Sequence, residues 1–292
     1  MKASFKNSGF LVVTLVVAVL LLSGCQAVHK AASPDDFAGA INARTAEDRA
    51  RDIYRHPAET LAFFGIEPGM TVVEVLPGGG WYSKIIAPYL GPDGTLHAVN
   101  YADEMWDMFG FFSADRIAER QQQMDNWATA VADYGGNPEG ATGGSFGRID
   151  PSLQGSVDAV LFIRALHNLN RFEERAGTRS AALAEVYQLL KPGGIVGVVQ
   201  HQAPESADDR WAVGQNGYLK RSAVIDMFER AGFELVATSA LNENFKDQPS
   251  AGDFVWRLPP SLRNSEDNPA QRADMLAIGE SNRMTLKFIK PE

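Results

Sequence analysis

The sequence predicts an α/β fold in which a largely parallel sheet carries helices on both faces, the doubly wound arrangement. Apolar, β-branched segments typical of strands alternate with helix-like segments along most of the 292 residues. One run of about 30 residues also forms a complete strand–helix–strand unit, the size of a parallel crossover. Ligands of such sheets bind beyond the carboxyl ends of the strands, so residues that directly follow strands are the first candidates for function.

The central element of this prediction is a strand over 71–76, which is followed by Pro77 and three glycines over 78–80. The residues over 81–90 then show a helical pattern, so the region reads as strand, tight turn and helix. Glycine at such a turn lets the backbone approach a ligand, and the free N–H groups at the helix start offer hydrogen bonds. The pattern predicts a nucleotide-binding turn. A tight turn without a ligand is the alternative, because glycine also serves wherever φ is positive.

The remaining elements are predicted from turn residues and apolar periodicity. Before the central strand, helices begin at Thr45 and break near Pro57. A glycine-rich surface loop over 135–147 lies near the third strand, and 242–282 forms a long polar insertion with one short helix. Further strands are predicted over 95–100, 157–163, 195–200, 233–240 and 284–289, and further helices over 114–131, 178–190 and 219–231.

The composition suits a packed globular domain and argues against one class of partner. A hydrophobic fraction of 45% is ample for a core. The formal net charge of −9 argues against a nucleic-acid partner, because phosphate binding relies on a surplus of lysine and arginine. Cys25 is the only cysteine, which excludes an internal disulfide and a cysteine-based metal cluster.

The N-terminal residues read as an export signal and not as part of the fold. Lys2 and Lys6 precede an apolar run over 10–22, which is shorter than the ~20 residues that span a bilayer. The Leu-Ser-Gly-Cys sequence over 22–25 resembles the bacterial lipobox, in which the signal is removed and the cysteine is lipidated. We therefore predict a lipoprotein signal peptide over 1–24, a lipidated tether over 25–45 and the main domain over 46–292.

These features predict an extracytoplasmic protein that is held at a membrane by a lipid on Cys25. The tether is predicted from its Ala, Ser, Pro and Asp content and its few apolar residues. Gln26, in place of Asp, after the cysteine implies the outer membrane, facing the periplasm, if the source is Gram-negative.

Four segments resemble, in chain order, class I S-adenosylmethionine-dependent methyltransferases, and among them exported methyltransferase-like lipoproteins. They are Pro-Gly-Met-Thr-Val-Val-Glu-Val over 68–75, the glycines over 78–80, Gly-Pro-Asp-Gly over 91–94 and Leu-Leu-Lys-Pro-Gly-Gly over 189–194. The last segment is the most specific, because dinucleotide-binding dehydrogenases also carry a glycine cluster. The resemblance covers about residues 47–290 and implies a Rossmann-like methyltransferase sheet, mostly parallel, with an antiparallel last strand.

The resemblance also implies S-adenosylmethionine as the cofactor and a set of residues that bind it. Glu74 would order the glycine loop or contact the amino group of the cofactor. Gly78, Gly79 and Gly80 would let the backbone pass under its methionine part. Asn100, at the end of the second strand, occupies the position of the residue that binds the ribose hydroxyls.

Candidate catalytic residues follow the fourth strand and end the fifth. His167 is the candidate general base, since its ordinary pKa of about 6.5 permits proton acceptance near neutrality. Arg164 could hold a carboxylate through a two-point contact, and His201 could contact the substrate. A purely structural role stays open for all three, and the spacing of the histidines does not support a metal site.

We therefore predict an S-adenosylmethionine-dependent methyltransferase whose acceptor is a small molecule or an envelope component. Catalysis would consist mainly of positioning that acceptor against the methyl group. The alternative is a non-catalytic protein that keeps the fold and binds a small ligand or an envelope partner. Leu76-Pro77, where the family usually has a glycine, and the neutral Asn100, where it usually has an acid, favour the alternative; Glu74 and the glycines favour the enzyme.

Overall fold

Eight strands lie in the part of the chain that the computed structural model describes, which is residues 1–2 and 32–292. The strands predicted over 71–76, 95–100, 157–163, 233–240 and 284–289 are confirmed to within one residue at each end. The strand predicted over 195–200 is longer at both ends, and residues 219–220, which were predicted as the start of a helix, form a short strand. The strands are β1 (Thr71–Val75), β2 (Thr95–Asn100), β3 (Gly143–Ser145), β4 (Val157–Ile163), β5 (Leu190–Ala203), β6 (Leu219–Lys220), β7 (Glu234–Ser239) and β8 (Arg283–Ile289).

The strands form one sheet with the order β3-β2-β1-β4-β5-β8-β7, and the short β6 pairs with the end of β5. Pairing is parallel from β3 through β5, whereas β8 runs antiparallel to both of its neighbours. The predicted doubly wound, mostly parallel sheet with an antiparallel last strand is confirmed. Strand order reverses between β1 and β4, and ligands of such sheets bind at this switch point.

Helices cover both faces of the sheet, because neighbouring side chains of a strand point to opposite faces. In β4, Val160 and Phe162 belong to the core on the side of the helices over 178–189 and 221–230, whereas Leu161 belongs to the core on the side of the helices over 57–64 and 83–90. The helices are α1 (Ala38–Ala43), α2 (Ala46–Arg49), α3 (Asp52–Arg55), α4 (Pro57–Phe64), α5 (Ser83–Leu90), α6 (Asp103–Phe109), α7 (Ala114–Asp125), α8 (Trp127–Asp133), α9 (Leu166–Asn170), α10 (Glu173–Ala176), α11 (Thr178–Leu189), α12 (Arg221–Arg230) and α13 (Pro269–Ile278).

The local structure differs from the prediction at three places. The helix predicted over 114–131 is divided into α7 and α8 at Asn126, a residue type that favours helix ends over helix interiors. Helix α6 lies where no element was predicted, and its buried Met105 and Phe109 lie one helical turn apart. The residues over 191–194, between the predicted helix and the predicted strand, lie inside β5, which begins at Leu190. Pairing with β4 is irregular there because the Pro-Gly-Gly sequence interrupts the ladder.

The predicted tether over 25–45 is partly folded. Pro34–Phe37 forms a turn of 3₁₀ helix capped by Ser33, and α1 follows it. Phe37 is fully buried and stacks on Tyr89 with 3.8 Å between ring centroids. The folded domain therefore begins before residue 46, and Ala31–Glu292 forms one compact unit.

The signal peptide, apart from residues 1–2, and Cys25 lie outside the described residues. The lipid anchor therefore stays a prediction. Within residues 32–292, no helix is both long enough and apolar enough to cross a membrane.

Candidate functional site

A cavity of about 630 Å³ opens at the carboxyl ends of β1 and β4, where sheets of this kind bind ligands. Its walls come from the ends of β1, β4 and β5, from the helices before β1, and from the insertion between β7 and β8. Gly80 and Asn100 do not line it. The predicted site residues that do line it are Glu74, Gly78, Gly79, Arg164, His167 and His201.

Two residues at the base of the cavity have a left-handed backbone. Leu76 directly follows β1 with a φ of 54°, and Arg164 directly follows β4 with a φ of 57°. This conformation costs a residue with a side chain about 1–2 kcal/mol. Leu76 stands where the family resemblance leads us to expect glycine, so the backbone has the conformation that glycine favours although the side chain differs. The N–H groups of both residues hold the bends by donating to Val99 and Val199.

The glycines after Leu76 have different physical roles. A Cβ at Gly78 or Gly79 would have no protein heavy atom within 4 Å, so the backbone faces open space in the cavity. Gly78 is held by the side-chain amide of Gln123, which donates to its carbonyl at 2.8 Å. A Cβ at Gly80 would lie 2.5 Å from the hydroxyl oxygen of Tyr134. A φ of 75° and packing against Tyr134, and not approach to a ligand, therefore account for glycine at position 80.

Glu74 connects β1 to the helix that follows the glycines. Its side chain is 3% exposed, and Oε2 accepts the hydroxyl of Ser83 at 2.5 Å. Burial raises the pKa of Glu74 to about 7, although Ser83 and the charge of Arg164 oppose this. The carboxyl group therefore titrates near neutrality. Its contact with Ser83, the first residue of α5, orders the glycine loop.

His167 and His201 lie side by side, with 5.3 Å between their ring centroids. The side-chain amide nitrogen of Gln200 donates to the carbonyls of His201 and Gly217, so its oxygen is the acceptor of the pair. That oxygen lies 3.2 Å from Nδ1 of His167, which therefore carries the proton. Nε2 of His167 is left with the free lone pair that a base requires. His201 shares a 2.6 Å hydrogen bond with Ser281.

Both histidines are neutral at pH 7. Burial, followed by the charges of Arg164 and Arg171, lowers the pKa of His167 to about 4. The pKa of His201 is held well below its ordinary value by burial, then by His167 and Arg164. His167 thus occupies the position of the candidate base without the ordinary pKa that the sequence analysis assumed.

Asn100 lies in a smaller adjoining cavity of about 230 Å³. This cavity shares Gly78, Tyr101 and Arg164 with the larger one. The side-chain oxygen of Asn100 accepts the N–H of Tyr101 at 2.8 Å, which leaves its amide nitrogen as the group that a ligand could use. Asn100 therefore lies at the predicted position, one cavity away from the histidines.

Several cavity residues were not assigned by the sequence analysis. Arg51 and Arg55 both bind Glu280, which lies 225 positions after Arg55. Their spacing of four residues could have indicated that they lie on the same side of the chain. No feature of the sequence indicates their acidic partner. Arg171 enters from the end of α9 and Arg263 from the insertion. Within residues 32–292, no group of three or more His, Cys, Asp or Glu side chains is arranged to hold a metal ion.

Neither a protein-family model nor a curated protein sequence matches the chain. Among solved structures, a SAM-dependent methyltransferase from Aquifex aeolicus is 14% identical, covers 88% of this chain and 98% of its own, and has a TM-score of 0.48. The sheet itself is doubly wound and mostly parallel, with an antiparallel last strand. The 1,6-didemethyltoxoflavin-N1-methyltransferase of Burkholderia thailandensis, solved with S-adenosylhomocysteine, is 12% identical over 89% of this chain and 92% of its own, with a TM-score of 0.45. Such distant similarities concern the fold alone, and strand order carries the fold assignment.

Proposed function

We propose that the protein is an S-adenosylmethionine-dependent methyltransferase, held at the cell envelope by a lipid on Cys25. The observation that carries the proposal is the open space at Gly78 and Gly79, at the switch point of the sheet. A volume of about 630 Å³ lies within the usual range of small-molecule sites. The acceptor is proposed to be a small molecule or an envelope component.

The residues around the glycine loop fit this cofactor. Gly78 and Gly79 would receive its methionine part, and Asn100 would donate to the ribose from its amide nitrogen. When bound, S-adenosylmethionine supplies an electrophilic methyl group. The protein would orient the acceptor and exclude water, and Nε2 of His167 would accept the acceptor's proton. Arg164 and His201 would contact the acceptor.

The second candidate function is a binding protein that keeps the fold without catalysis. Two observations favour it. Glu74 and the oxygen of Asn100, both expected to recognise the cofactor, are engaged by Ser83 and by the N–H of Tyr101. The low pKa of His167 also makes it a weak base.

Calorimetric titration of the full chain in detergent micelles with S-adenosylmethionine and S-adenosylhomocysteine separates the two functions. The methyltransferase proposal requires binding at one site per chain. If neither compound binds at roughly 1 mM, which corresponds to about 4 kcal/mol, the cofactor assignment is wrong.

A glycine substitution locates the cofactor site. The Gly79→Ala methyl group would meet no protein atom, so the fold should be unaffected, but it would occupy ligand space and weaken cofactor binding by roughly tenfold. Gly252→Ala is the matched control, since its Cβ also meets nothing within 4 Å and the residue does not line the cavity. Equal cofactor affinity in the two variants would remove the glycine loop from the binding site.

A further inference from the structure

The cavity is rich in arginine although the chain as a whole is acidic. The net charge of the chain is −9, yet five arginines and only two acidic residues, Asp48 and Glu74, line the cavity. Asp48 pairs with Lys84 at 2.9 Å, and Glu74 accepts a hydrogen bond from Ser83. We refer to the five arginines as the arginine wall; they are Arg51, Arg55, Arg164, Arg171 and Arg263.

Most of the wall has no carboxylate partner. Among the described residues, no carboxylate lies within salt-bridge distance of Arg164, Arg171 or Arg263. Arg171 faces the rings of Phe109 and Phe172, and Arg263 faces Trp256. The guanidinium carbons lie between 5.2 and 5.8 Å from the ring centroids, and a ring is not an oxygen acceptor for their N–H groups. Donors of three arginines from three different segments are thus available to one ligand.

Arg55 provides the second, independent observation. Its side chain is 1% exposed, and its Nε donates to Glu280, but both terminal nitrogens are buried without a hydrogen-bond partner. Nε of Arg164 is also buried without a partner. Buried donors without partners are rare in folded proteins, because each costs about 1–3 kcal/mol. A ligand that accepts these hydrogen bonds would offset that cost.

The surroundings of Arg55 and Arg164 destabilise their positive charges. Burial and then repulsion from Arg164 lower the pKa of Arg55 to about 9, and burial lowers that of Arg164 to about 10. Arg164 also has a left-handed backbone. Strained backbone and destabilised charge at one place are typical of functional sites.

We infer that the arginine wall binds an oxyanion of the ligand, a carboxylate or a phosphate, through the open donors of Arg55 and Arg164, with Arg171 and Arg263 completing the contact. Guanidinium groups match the planar geometry of these anions and bind them through paired hydrogen bonds. That the anion belongs to the methyl acceptor rests on the proposed function; the anion site itself does not. A neutral acceptor would leave these buried charges uncompensated.

The first experiment is calorimetric titration of the full chain in detergent micelles with inorganic phosphate and, separately, citrate. We expect one site per chain, binding that weakens as salt is added, and a loss of roughly tenfold or more in Arg164→Gln. Arg230→Gln is the matched control, because its side chain is 79% exposed and lies outside the cavity. No binding to the unaltered chain, or equal losses in the two variants, would overturn the inference. The tighter of the two probes identifies the kind of anion.

Arg171→Gln keeps the test decisive if Arg164→Gln fails to fold. Arg171 is partly exposed and has no ion pair among the described residues, so its replacement should leave the fold intact while weakening anion binding. Unchanged phosphate and citrate affinity in a folded Arg171→Gln protein would show that Arg171 does not contact the anion, and would contradict the proposal that the arginines of the wall bind it together.

The second experiment distinguishes an acceptor anion from the carboxylate of the cofactor. If citrate or phosphate binds together with S-adenosylhomocysteine, the wall serves the acceptor. If they compete, and Arg164→Gln weakens S-adenosylhomocysteine but not 5′-methylthioadenosine, which lacks the carboxylate, the wall serves the cofactor and the acceptor inference is wrong. If the anion binds and S-adenosylhomocysteine does not, the methyltransferase proposal fails while the anion site stands.

Discussion

Two buried ion clusters in the described part of the chain differ in how completely their hydrogen-bond donors are used. The closed cluster consists of Tyr218, Asp247 and Arg257. Asp247 accepts from the hydroxyl of Tyr218 at 3.0 Å and from a terminal nitrogen of Arg257 at 2.8 Å, and Arg257 also donates to Tyr218. No buried side-chain atom of these three residues lacks a hydrogen-bond partner.

The open cluster, which consists of Arg51, Arg55, Glu280 and Arg283, places three arginines on one carboxylate. Both terminal nitrogens of Arg55 and Nε of Arg283 are buried without a hydrogen-bond partner. The closed cluster contributes no residue to the cavity, whereas Arg51 and Arg55 line it. The difference teaches that burial alone does not mark a charged cluster as functional. Buried donors without a hydrogen-bond partner, next to a cavity, are the feature that marks a charged cluster as functional.

The largest expected effect comes from breaking the closed cluster. Asp247→Ala would leave the buried Arg257 with the partly exposed Asp253 as its remaining carboxylate, so we expect the free energy of unfolding to fall by about 3 kcal/mol or more. Urea denaturation near pH 7 measures this change. Asp226→Ala is the control, because the Asp226–Arg230 pair is exposed and should contribute no more than about 0.5 kcal/mol. Equal losses would mean that the closed cluster is not a stabilising unit.

The next effect is a pH dependence at Glu74, the carboxylate that faces Arg164. Its folded pKa of about 7 lies above the unfolded value of about 4.3, so the folded state holds the proton more tightly between these values. Its contribution to stability is full below the unfolded pKa and is lost as the pH rises through the folded pKa. Relative to Glu74→Gln, the unaltered protein should lose about 1–3 kcal/mol of unfolding free energy between about pH 5 and about pH 8.

The comparison with Glu74→Gln is needed because the histidines change the pH dependence of the unfolding free energy in the opposite direction. The pKa of His167 is lowered to about 4, so its neutral buried form destabilises the fold increasingly as the pH falls below about 6.5. Urea denaturation at each pH measures both proteins. Glu119→Gln, which alters an exposed carboxylate, should follow the unaltered protein. If Glu74→Gln and the unaltered protein have the same pH profile, the carboxyl of Glu74 does not titrate near neutrality.

The fold, and the half of the cavity that β1 and β4 form, could both be predicted from the sequence for one physical reason. The strands β1 and β4 are apolar runs with clear ends, and side chains at their carboxyl ends must meet in a parallel sheet. Arg164 and His167 therefore could be placed in advance. The open cluster could not, because Arg55 and Glu280 are 225 positions apart and no local pattern pairs them. The tether was misjudged because a few apolar residues, the buried Phe37 with Ala40 and Ile41, are enough to dock a short segment on the core.

A smaller effect tests the backbone strain at the base of the cavity. Leu76→Gly and Leu76→Ala lose similar packing, but glycine adopts the left-handed conformation without strain. The glycine variant should therefore be more stable than the alanine variant by about 0.5–1 kcal/mol in urea denaturation. At the helical position Leu276 the order should reverse, because glycine costs about 1 kcal/mol relative to alanine inside a helix. The same order at both positions would show that Leu76 carries no strain.

The smallest expected change in stability comes from the open cluster itself. Arg55→Gln removes a charge that burial and Arg164 disfavour, while Glu280 keeps Arg51 and Arg283 as partners. The lost ion pair and the relieved repulsion offset one another, so the free energy of unfolding should change by less than about 1 kcal/mol in urea denaturation. A loss as large as that of Asp247→Ala would mean that Arg55 is held for stability, and the contrast between the two clusters would disappear. A small change, together with weaker anion binding, would assign the unused donors of Arg55 to the ligand.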